Sequence, residues 1–371
     1  MQNTSRYAKQ LEELQLQGNF RFLRNSIPKD CINLSSNDYL GLCANTELYN
    51  TFLDEISAHS YPFSAASSRL LTGNCAEYGE LEELLCQLFQ REAALVFNSG
   101  YHANCGILPA LAGKNDLIVV DKLVHASIID GIRLAQTDFE RFHHADYEHL
   151  ERILQEKRGK YEQIFIVSES IFSMDGDCAD LKKLVELKQN YNCLLYIDEA
   201  HAFGVRGVQG LGLAEEQSVI ADIDLLVATF GKAIASVGAF VVCSEVLRSY
   251  LINHTRTLIF TTALPPINIA WTTFILKQLP HLQKRRSHLQ ELSVECAQLL
   301  KIPYQSHIIP YIVGSNENAI VLSETLQQKG FFVLPIRYPT VPKNTARVRF
   351  SLHANLCMND IRNLVNKLIS L

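Results

Sequence analysis

No two of the ten cysteines stand closer than Cys75 and Cys86, so the chain has no C-x-x-C pair and no thiol metal-ligand spacing. The cysteines are expected as small buried hydrophobes in a reducing compartment, and no metal is expected. A G-x-x-x-x-G-K-[ST] phosphate loop is also missing. Gly231-Lys232 is followed by Ala233 and lacks the first glycine at the required distance. The only basic run is Lys284-Arg285-Arg286, read as a solvated helix face, and the net charge is −5. This balance argues against a nucleic-acid or anionic-membrane partner. Residues 1–20 are charged and amphipathic, with no apolar core and no small-residue cleavage site. No signal peptide is read there, and a cytoplasmic location is expected. Thr257 to Leu276 carries no charge and is about long enough to cross a bilayer. Its Pro265-Pro266 pair, threonines and asparagine point instead to a strand, a turn and a helix. There is no internal repeat and no low-complexity tract.

What is present is a chain of 371 residues with 47% hydrophobic content, enough for a full core and two domains. Strand and helix patterns alternate from about residue 93 to 243, which predicts an α/β fold with a doubly wound, mostly parallel sheet. Earlier, helices are expected over 6–17 and 77–90, the second with Asn74 as a possible cap. After Pro265-Pro266 a long helical region, 267–300, leads into an α+β segment. This has strands at 308–313, 331–336 and 347–352, a helix over 316–329 stopped by Gly330, and a last helix ending at Leu371. The expected division is an N-terminal helix and arm (1–40), a large domain (41–266) and a small C-terminal domain with its linking helix (267–371).

The stretch from Cys193 to Phe240 organises the rest. Two apolar runs, Leu194 to Ile197 and Leu225 to Val227, are short and β-rich and are followed at once by polar residues, as buried parallel strands are. The first delivers Asp198 and His201 to the carboxyl edge of a sheet; the second delivers Thr229, Gly231 and Lys232. A buried carboxylate needs a cationic partner, and a lysine in a dry crevice needs a lowered pKa or a covalent use. Pyridoxal phosphate answers both needs, with a pyridinium nitrogen for Asp198 and an aldehyde that forms a Schiff base with Lys232. The competing reading of Asp-Glu-Ala-His, a nucleic-acid-dependent ATPase whose acid holds magnesium, needs the phosphate loop that the chain lacks.

Other strand ends add candidates. The strand 93–97 ends in Asn98-Ser99-Gly100-Tyr101, where a glycine between strand and helix lets free N–H groups cradle a phosphate; many such turns bind nothing. The strand 117–120 ends in Asp121 shortly before His125, which alone reads more readily as a structural histidine than as a functional one. A third strand, 164–167, leads through Ser170 and Ser173 to an Asp175-Gly176 turn, so Ser173 is placed at the same edge. Between Tyr61 and Asn74 a series of small residues reads either as a close approach to a ligand or another chain, or as a plain loop.

Taken in order, SSNDYLGL (35–42), NSGYHAN (98–104), DKLVHASIIDG (121–131), SESIFSMDGD (168–177), DEAHAFG (198–204), TFGK (229–232) and TTALPP (261–266) resemble the α-oxoamine synthases. These are fold-type-I pyridoxal-phosphate enzymes that join an amino acid to an acyl thioester with loss of carbon dioxide. The resemblance runs from about residue 33 to the C-terminus. Within the family, Ile336 to Arg349 is most similar to the biotin-pathway members, which use L-alanine and a pimeloyl thioester carried by coenzyme A or a carrier protein. A glycine-using member of the family and a plain aminotransferase are the alternatives.

The resemblance implies a homodimer and a set of roles. Lys232 holds the cofactor as a Schiff base and acts as base, Asp198 pairs with the pyridine nitrogen, His201 contacts the phenolic oxygen and His125 stacks on the ring. The backbone at Gly100 and Tyr101 and the Thr229 hydroxyl hold the phosphate, with Thr261 or Thr262 reaching it across a dimer interface, and Ser173 faces the cofactor. Arg349 clamps the amino acid's carboxylate, and Asn37 and Thr340 join the substrate-binding set. Arg21, with Arg24 as rival, meets the far carboxylate of the acyl group. The sequence departs from the family at Phe63 to Arg69, where the family is glycine-rich, and at Ser351-Leu352-His353-Ala354-Asn355.

Overall fold

Short runs of valine, isoleucine, leucine and phenylalanine give the chain its strands. The computed structural model describes residues 4–24, 26–57 and 60–371. Its strands are β1 (Ile32–Asn33), β2 (Ala93–Phe97), β3 (Leu117–Asp121), β4 (Asp138–Phe142), β5 (Ile164–Glu169), β6 (Leu194–Asp198), β7 (Leu225–Thr229), β8 (Ala239–Cys243), β9 (Ile308–Gly314), β10 (Phe331–Phe332), β11 (Pro335–Ile336) and β12 (Ala346–Ser351). Seven of them form one sheet in the order β2-β8-β7-β6-β5-β3-β4. Only β8 runs antiparallel to its neighbours, so the expected mostly parallel sheet is what forms. β2, β3, β5 and β8 are buried along their whole length, as strands covered on both faces are. β4, with the sequence Asp-Phe-Glu-Arg-Phe, is the exception: it has no apolar run and went unread in the sequence. It lies at the sheet's edge with mostly exposed side chains, where charge discourages further strand pairing.

The shared direction of β2, β3, β5, β6 and β7 brings their carboxyl ends to one edge. Asp121, Glu169, Asp198 and Thr229 close four of these strands, and Glu169 stands directly beside Asp198 in register. Strands that run in one direction must end at one edge, and this is what positions the site.

Two long-range features hold the surrounding framework. Phe89, Phe203, Phe230 and Phe240 pack as a cluster with ring centroids 5.1–5.9 Å apart. Glu82, almost fully buried, sits between Arg69 at 2.7 Å and Arg248 at 3.1 Å, and it also accepts the Val96 N–H. A buried carboxylate with this many partners is compensated; with one removed it would not be. Arg69 also stacks on the Tyr78 ring at 3.9 Å and takes the Asn74 amide oxygen. Asn74 is therefore not the cap of the following helix, Ala76–Phe89, whose N-cap is Cys75.

By their internal contacts the residues fall into two units, one of 38–173 and 177–288, the other of 1–37, 174–176 and 289–371. The helical region expected over 267–300 begins as Pro266–Gln278 and is interrupted by a 3-10 turn, Leu279–Leu282, before helix Gln283–Leu300. Pro280 lies in that turn and has no N–H to continue an α-helix. The second unit carries the antiparallel sheet β11-β12-β9 and the parallel pair β1-β10, with helices Asn316–Gln328 and Met358–Ile369. The single strand expected over 331–336 is two short ones. β10 joins β1, and β11, which opens on Pro335, takes an edge position where proline's missing N–H does no harm. Residues 174–176 group with this unit through Arg347, which bonds Asp175 and the Met174 carbonyl, and through Ser306, which donates to the Gly176 carbonyl at 2.6 Å. Gly176, at φ +71°, packs so closely on Ile308 that a Cβ would fall 2.1 Å from its carbonyl oxygen.

Candidate active site

The polar edge of the seven-stranded sheet gathers the first group of candidate residues. Lys232 follows β7 and its Nζ lies 2.8 Å from His201 Nε2. His201, buried after β6, has its Nδ1 2.7 Å from the Tyr39 hydroxyl. An ammonium has no lone pair, so with Lys232 charged Nε2 is the acceptor and Nδ1–H donates to Tyr39. Tyr39 lies within the SSNDYLGL motif but drew no assignment from the sequence. Nothing local marks a tyrosine as the partner of a histidine 162 positions away.

Asp198 is buried at the end of β6. Its Oδ2 accepts from Asn104 Nδ2 at 2.8 Å and its Oδ1 from the Ala200 N–H at 2.8 Å. Its neighbour Glu199 points elsewhere, accepting from Ser170 Oγ and from the N–H groups of Leu213 and Ala214. Burial pushes the Glu199 carboxyl up to about 7, against those hydrogen bonds. The second acid of Asp-Glu-Ala-His is thus consumed inside the fold.

His125 caps helix Ala126–Ala135, with its Nδ1 2.7 Å from Ser127 Oγ and 3.3 Å from the Ser127 N–H. Its own N–H donates to Glu169. The surrounding protein holds the His125 pKa below the usual histidine value; Asp198 opposes this and the Lys232 ammonium adds to it. Glu169, fully enclosed next to Asp198, has its carboxyl pushed well above the normal range by burial and by that neighbouring charge. Asn104, Ser127 and Glu169 escaped notice because buried polar residues inside helix and strand patterns carry no local signature.

At the end of β2, helix Gly100–Leu111 begins, with Ser99 as a cap that accepts the His102 N–H. The backbone N–H groups of Gly100 and Tyr101 have no partner among the described residues, the arrangement that receives a phosphate. The Tyr101 side chain turns outward, its hydroxyl on Asp130 at 2.8 Å. Thr229 Oγ1 accepts the Gly231 N–H at 3.1 Å and donates to the Gly238 carbonyl at 3.0 Å, so bonding a phosphate would redirect that hydrogen. Asn98 ties Thr261 and Thr262 to this end of the sheet, reaching Thr261 Oγ1 at 3.3 Å and the Thr262 carbonyl at 2.6 Å. Ser173 is buried in the turn that follows β5.

These groups fit pyridoxal 5′-phosphate. An amine stands at a strand end, a carboxylate with unused lone pairs meets the same edge, and paired N–H donors are open for a phosphate.

The remaining candidates belong to the other unit. Arg349, on β12, donates to Asn37 Oδ1 at 3.0 Å. Arg21 donates to Thr340 Oγ1 at 3.3 Å, joining positions 319 apart in the sequence. The rival Arg24 lies instead over the rings of Phe22 and Phe332, 4.9 and 5.7 Å from their centroids.

His143, Asp146 and His149, just beyond the end of β4, bring possible ligand atoms within 4.8 Å of one another. His149 Nδ1 already takes the His143 N–H, however, and Asp146 caps helix Tyr147–Lys157.

Comparison with known proteins gives the family. The family profile described as aminotransferase class I and II matches residues 29–368. A protein of Haemophilus influenzae provisionally named 8-amino-7-oxononanoate synthase is 52% identical, over 96% of this chain and 98% of its own length. Among solved structures, 8-amino-7-oxononanoate synthase from Francisella tularensis is 29% identical with a TM-score of 0.77, covering 92% of this chain and 98% of that one. A structure titled SPT with the PLP internal aldimine is 26% identical with a TM-score of 0.88, covering 99% of this chain and 96% of that one. The chain belongs to the aminotransferase class I and II family and, within it, is an α-oxoamine synthase similar to 8-amino-7-oxononanoate synthase, an acyltransferase that works with pyridoxal 5′-phosphate.

Proposed function

We propose that the chain condenses L-alanine with a pimeloyl thioester, releasing the thiol and carbon dioxide and forming 8-amino-7-oxononanoate for biotin synthesis. The observation that carries this reading is the Arg21–Thr340 contact. A pimeloyl group ends in a second carboxylate, which needs a cation if it is to leave water, and Arg21 is a guanidinium held by a hydroxyl, with no ion pair to an acid among the described residues. A palmitoyl group, the one named in serine palmitoyltransferases with TM-scores up to 0.89, has no such charge to meet.

The roles of the residues follow from their chemistry. When bound, pyridoxal 5′-phosphate supplies an aldehyde for amine condensation and a ring that accepts an electron pair. Lys232 holds it and moves the proton at the alanine Cα. Asp198 keeps a proton at the pyridine nitrogen, and His201, fixed by Tyr39, orients Lys232. Gly100 and Tyr101 offer their N–H groups to the phosphate, with Thr229 and Thr261 or Thr262 around it, Ser173 faces the cofactor, and His125 packs on the ring. Arg349, aligned by Asn37, takes the alanine carboxylate; a planar fork suits that ion where a lysine would not. In the substrates, a bond forms between the alanine Cα and the acyl carbonyl carbon, while the carbon–sulfur bond and the bond to the alanine carboxylate break.

A second copy of the chain is the proposed cover for Phe63, Leu71 and Phe260, apolar side chains that are 86%, 78% and 71% exposed. A cytoplasmic location is proposed with it. No helix among the described residues is long and apolar enough to cross a membrane.

The test is to incubate the purified chain with L-alanine, glycine or L-serine against pimeloyl, acetyl and palmitoyl thioesters and to read the product by mass. The reading stands if alanine with the pimeloyl thioester is the best pair, and it fails if glycine with acetyl thioester or serine with palmitoyl thioester is. Running the pimeloyl arm on coenzyme A and on a carrier protein identifies the acyl carrier.

A further inference from the structure

We propose that Asn104 is a positioning residue that sets the proton directions of Asp198 and, through Ser127, of His125, holding His125 as the neutral tautomer with its proton on Nε2. The proposal rests on the reading of Asp198 and His125 as cofactor contacts.

One buried chain of hydrogen bonds links these groups. Asn104, Ser127 and Tyr196 are all at most 2% exposed. Tyr196 gives its hydroxyl hydrogen to Asn104 Oδ1. The amide nitrogen therefore faces the other way, with one hydrogen on Asp198 Oδ2 at 2.8 Å and the other on Ser127 Oγ at 2.9 Å. A flipped amide would set its oxygen against the Asp198 carboxylate, two acceptors with no hydrogen between them in a site closed to water. Having accepted from Asn104, Ser127 directs its own hydrogen to His125 Nδ1 at 2.7 Å. The Ser127 N–H, which can only donate, faces the same nitrogen at 3.3 Å. A ring nitrogen facing two donors is an acceptor, so the proton of the neutral imidazole resides on Nε2.

Two consequences follow for the edge. Among the described residues the Asp198 carboxylate accepts from Asn104 and the Ala200 N–H, and so keeps acceptor capacity for a ring nitrogen that carries a proton. His125 meets its neighbours as an uncharged donor through Nε2, consistent with the lowered pKa that the enclosing protein gives it. One amide thus sets both contacts, which neither Asp198 nor His125 could do for the other.

The test uses the chain loaded with pyridoxal 5′-phosphate and labelled with 15N-histidine, observed by long-range 1H–15N correlation at neutral pH. His125 is expected to show an unprotonated, hydrogen-bonded Nδ1 and a protonated Nε2; a proton on Nδ1, or on both nitrogens, overturns the proposal. In Ser127→Ala the ratio of the Nε2–H to the Nδ1–H form is expected to fall about fivefold, the worth of one hydrogen bond. Ser127→Thr, which keeps the hydroxyl, restores it, and an unchanged ratio in Ser127→Ala overturns the proposal. Asn104→Leu shifts the ratio in the same direction, as does Tyr196→Phe, which frees the amide and keeps the aromatic ring should Asn104→Leu fail to fold. If neither moves it, the tautomer belongs to Ser127 alone and the part given to Asn104 is wrong. The ratio is read without substrate, so failure of the alanine and pimeloyl assignment leaves this result standing, and the reverse.

Discussion

The two units of this chain treat their functional groups in opposite ways. In the larger, the residues at the sheet edge interlock, with Lys232 half-buried and its neighbours buried: Lys232 on His201, His201 on Tyr39, and Asp198 on Asn104. In the smaller, Arg21 meets Thr340 through an exposed contact from a segment outside helix and strand, and Arg349 meets Asn37 across a half-buried one. Fixed protons in a low-dielectric site are worth far more to a reaction than the same groups in water. A cation that selects among acyl chains needs only to be present and able to adapt, as loop residues are. The difference suggests that chemistry is built into the interlocked edge and selectivity into the looser contacts.

If that contrast holds, substitutions should lose effect from the first region to the second. Lys232→Ala is expected to abolish turnover, a loss on the order of 10⁴-fold or more, while the cofactor still binds without a covalent link. Borohydride reduction followed by peptide mapping checks it, and a pyridoxyl label on another lysine would sink the assignment. Next, Asp198→Asn should cost about 2–4 kcal/mol of transition-state stabilisation while leaving the fold intact. Near wild-type kcat/KM in that variant would break the claim that a preorganised charge does the work.

Stability in the larger unit offers a pH test. His144 lies between Asp121 at 3.0 Å and Asp177 at 2.7 Å. Burial works against its charge, but the hydrogen bonds to both carboxylates prevail and raise its pKa to about 10. Because the folded value exceeds the unfolded one, near 6.5, this stabilisation is complete below about pH 6.5 and fades as pH rises through about 10. His144→Gln should lower the denaturation midpoint by an amount equivalent to about 1.5–3 kcal/mol at neutral pH. It should approach wild type above about pH 10; a constant gap across that range would refute the charged pair.

Arg21→Ala carries the smallest expected effect. An exposed charged contact is worth on the order of 1 kcal/mol, so the KM for the pimeloyl thioester should rise about fivefold, with kcat and alanine-induced spectral changes preserved. The same apparent KM in variant and wild type would remove Arg21 from the acyl site. A larger change in kcat than in KM would erase the distinction between the two regions.

Strand ends with their own polar residue were legible: Asp198, Thr229 and Lys232 each follow a short apolar run that could only be a buried strand. β4 was not, since its charged residues suit a sheet edge and its burial pattern carries no period. Proline explains two boundaries read too smoothly, the break at Pro280 and the division before Pro335. Asn74 had the composition of a cap, but Arg69 claimed its side chain. The long-range partners were beyond reach for the same reason: a side chain's hydrogen bond is chosen by what the fold sets beside it.

What the sequence by itself determined is the series of strands, the polar groups at their ends and the chemistry those groups can perform, because hydrophobic period and residue type are local properties. What only the tertiary structure decided is which groups meet and where each proton points. Asn104 became the neighbour of Asp198 and Ser127 because helix Gly100–Leu111 packs beside the parallel strands. Arg21, and not Arg24, reached Thr340 because the Arg24 guanidinium settled over Phe22 and Phe332. Contacts between distant positions depend on how the chain closes on itself, which no local pattern encodes.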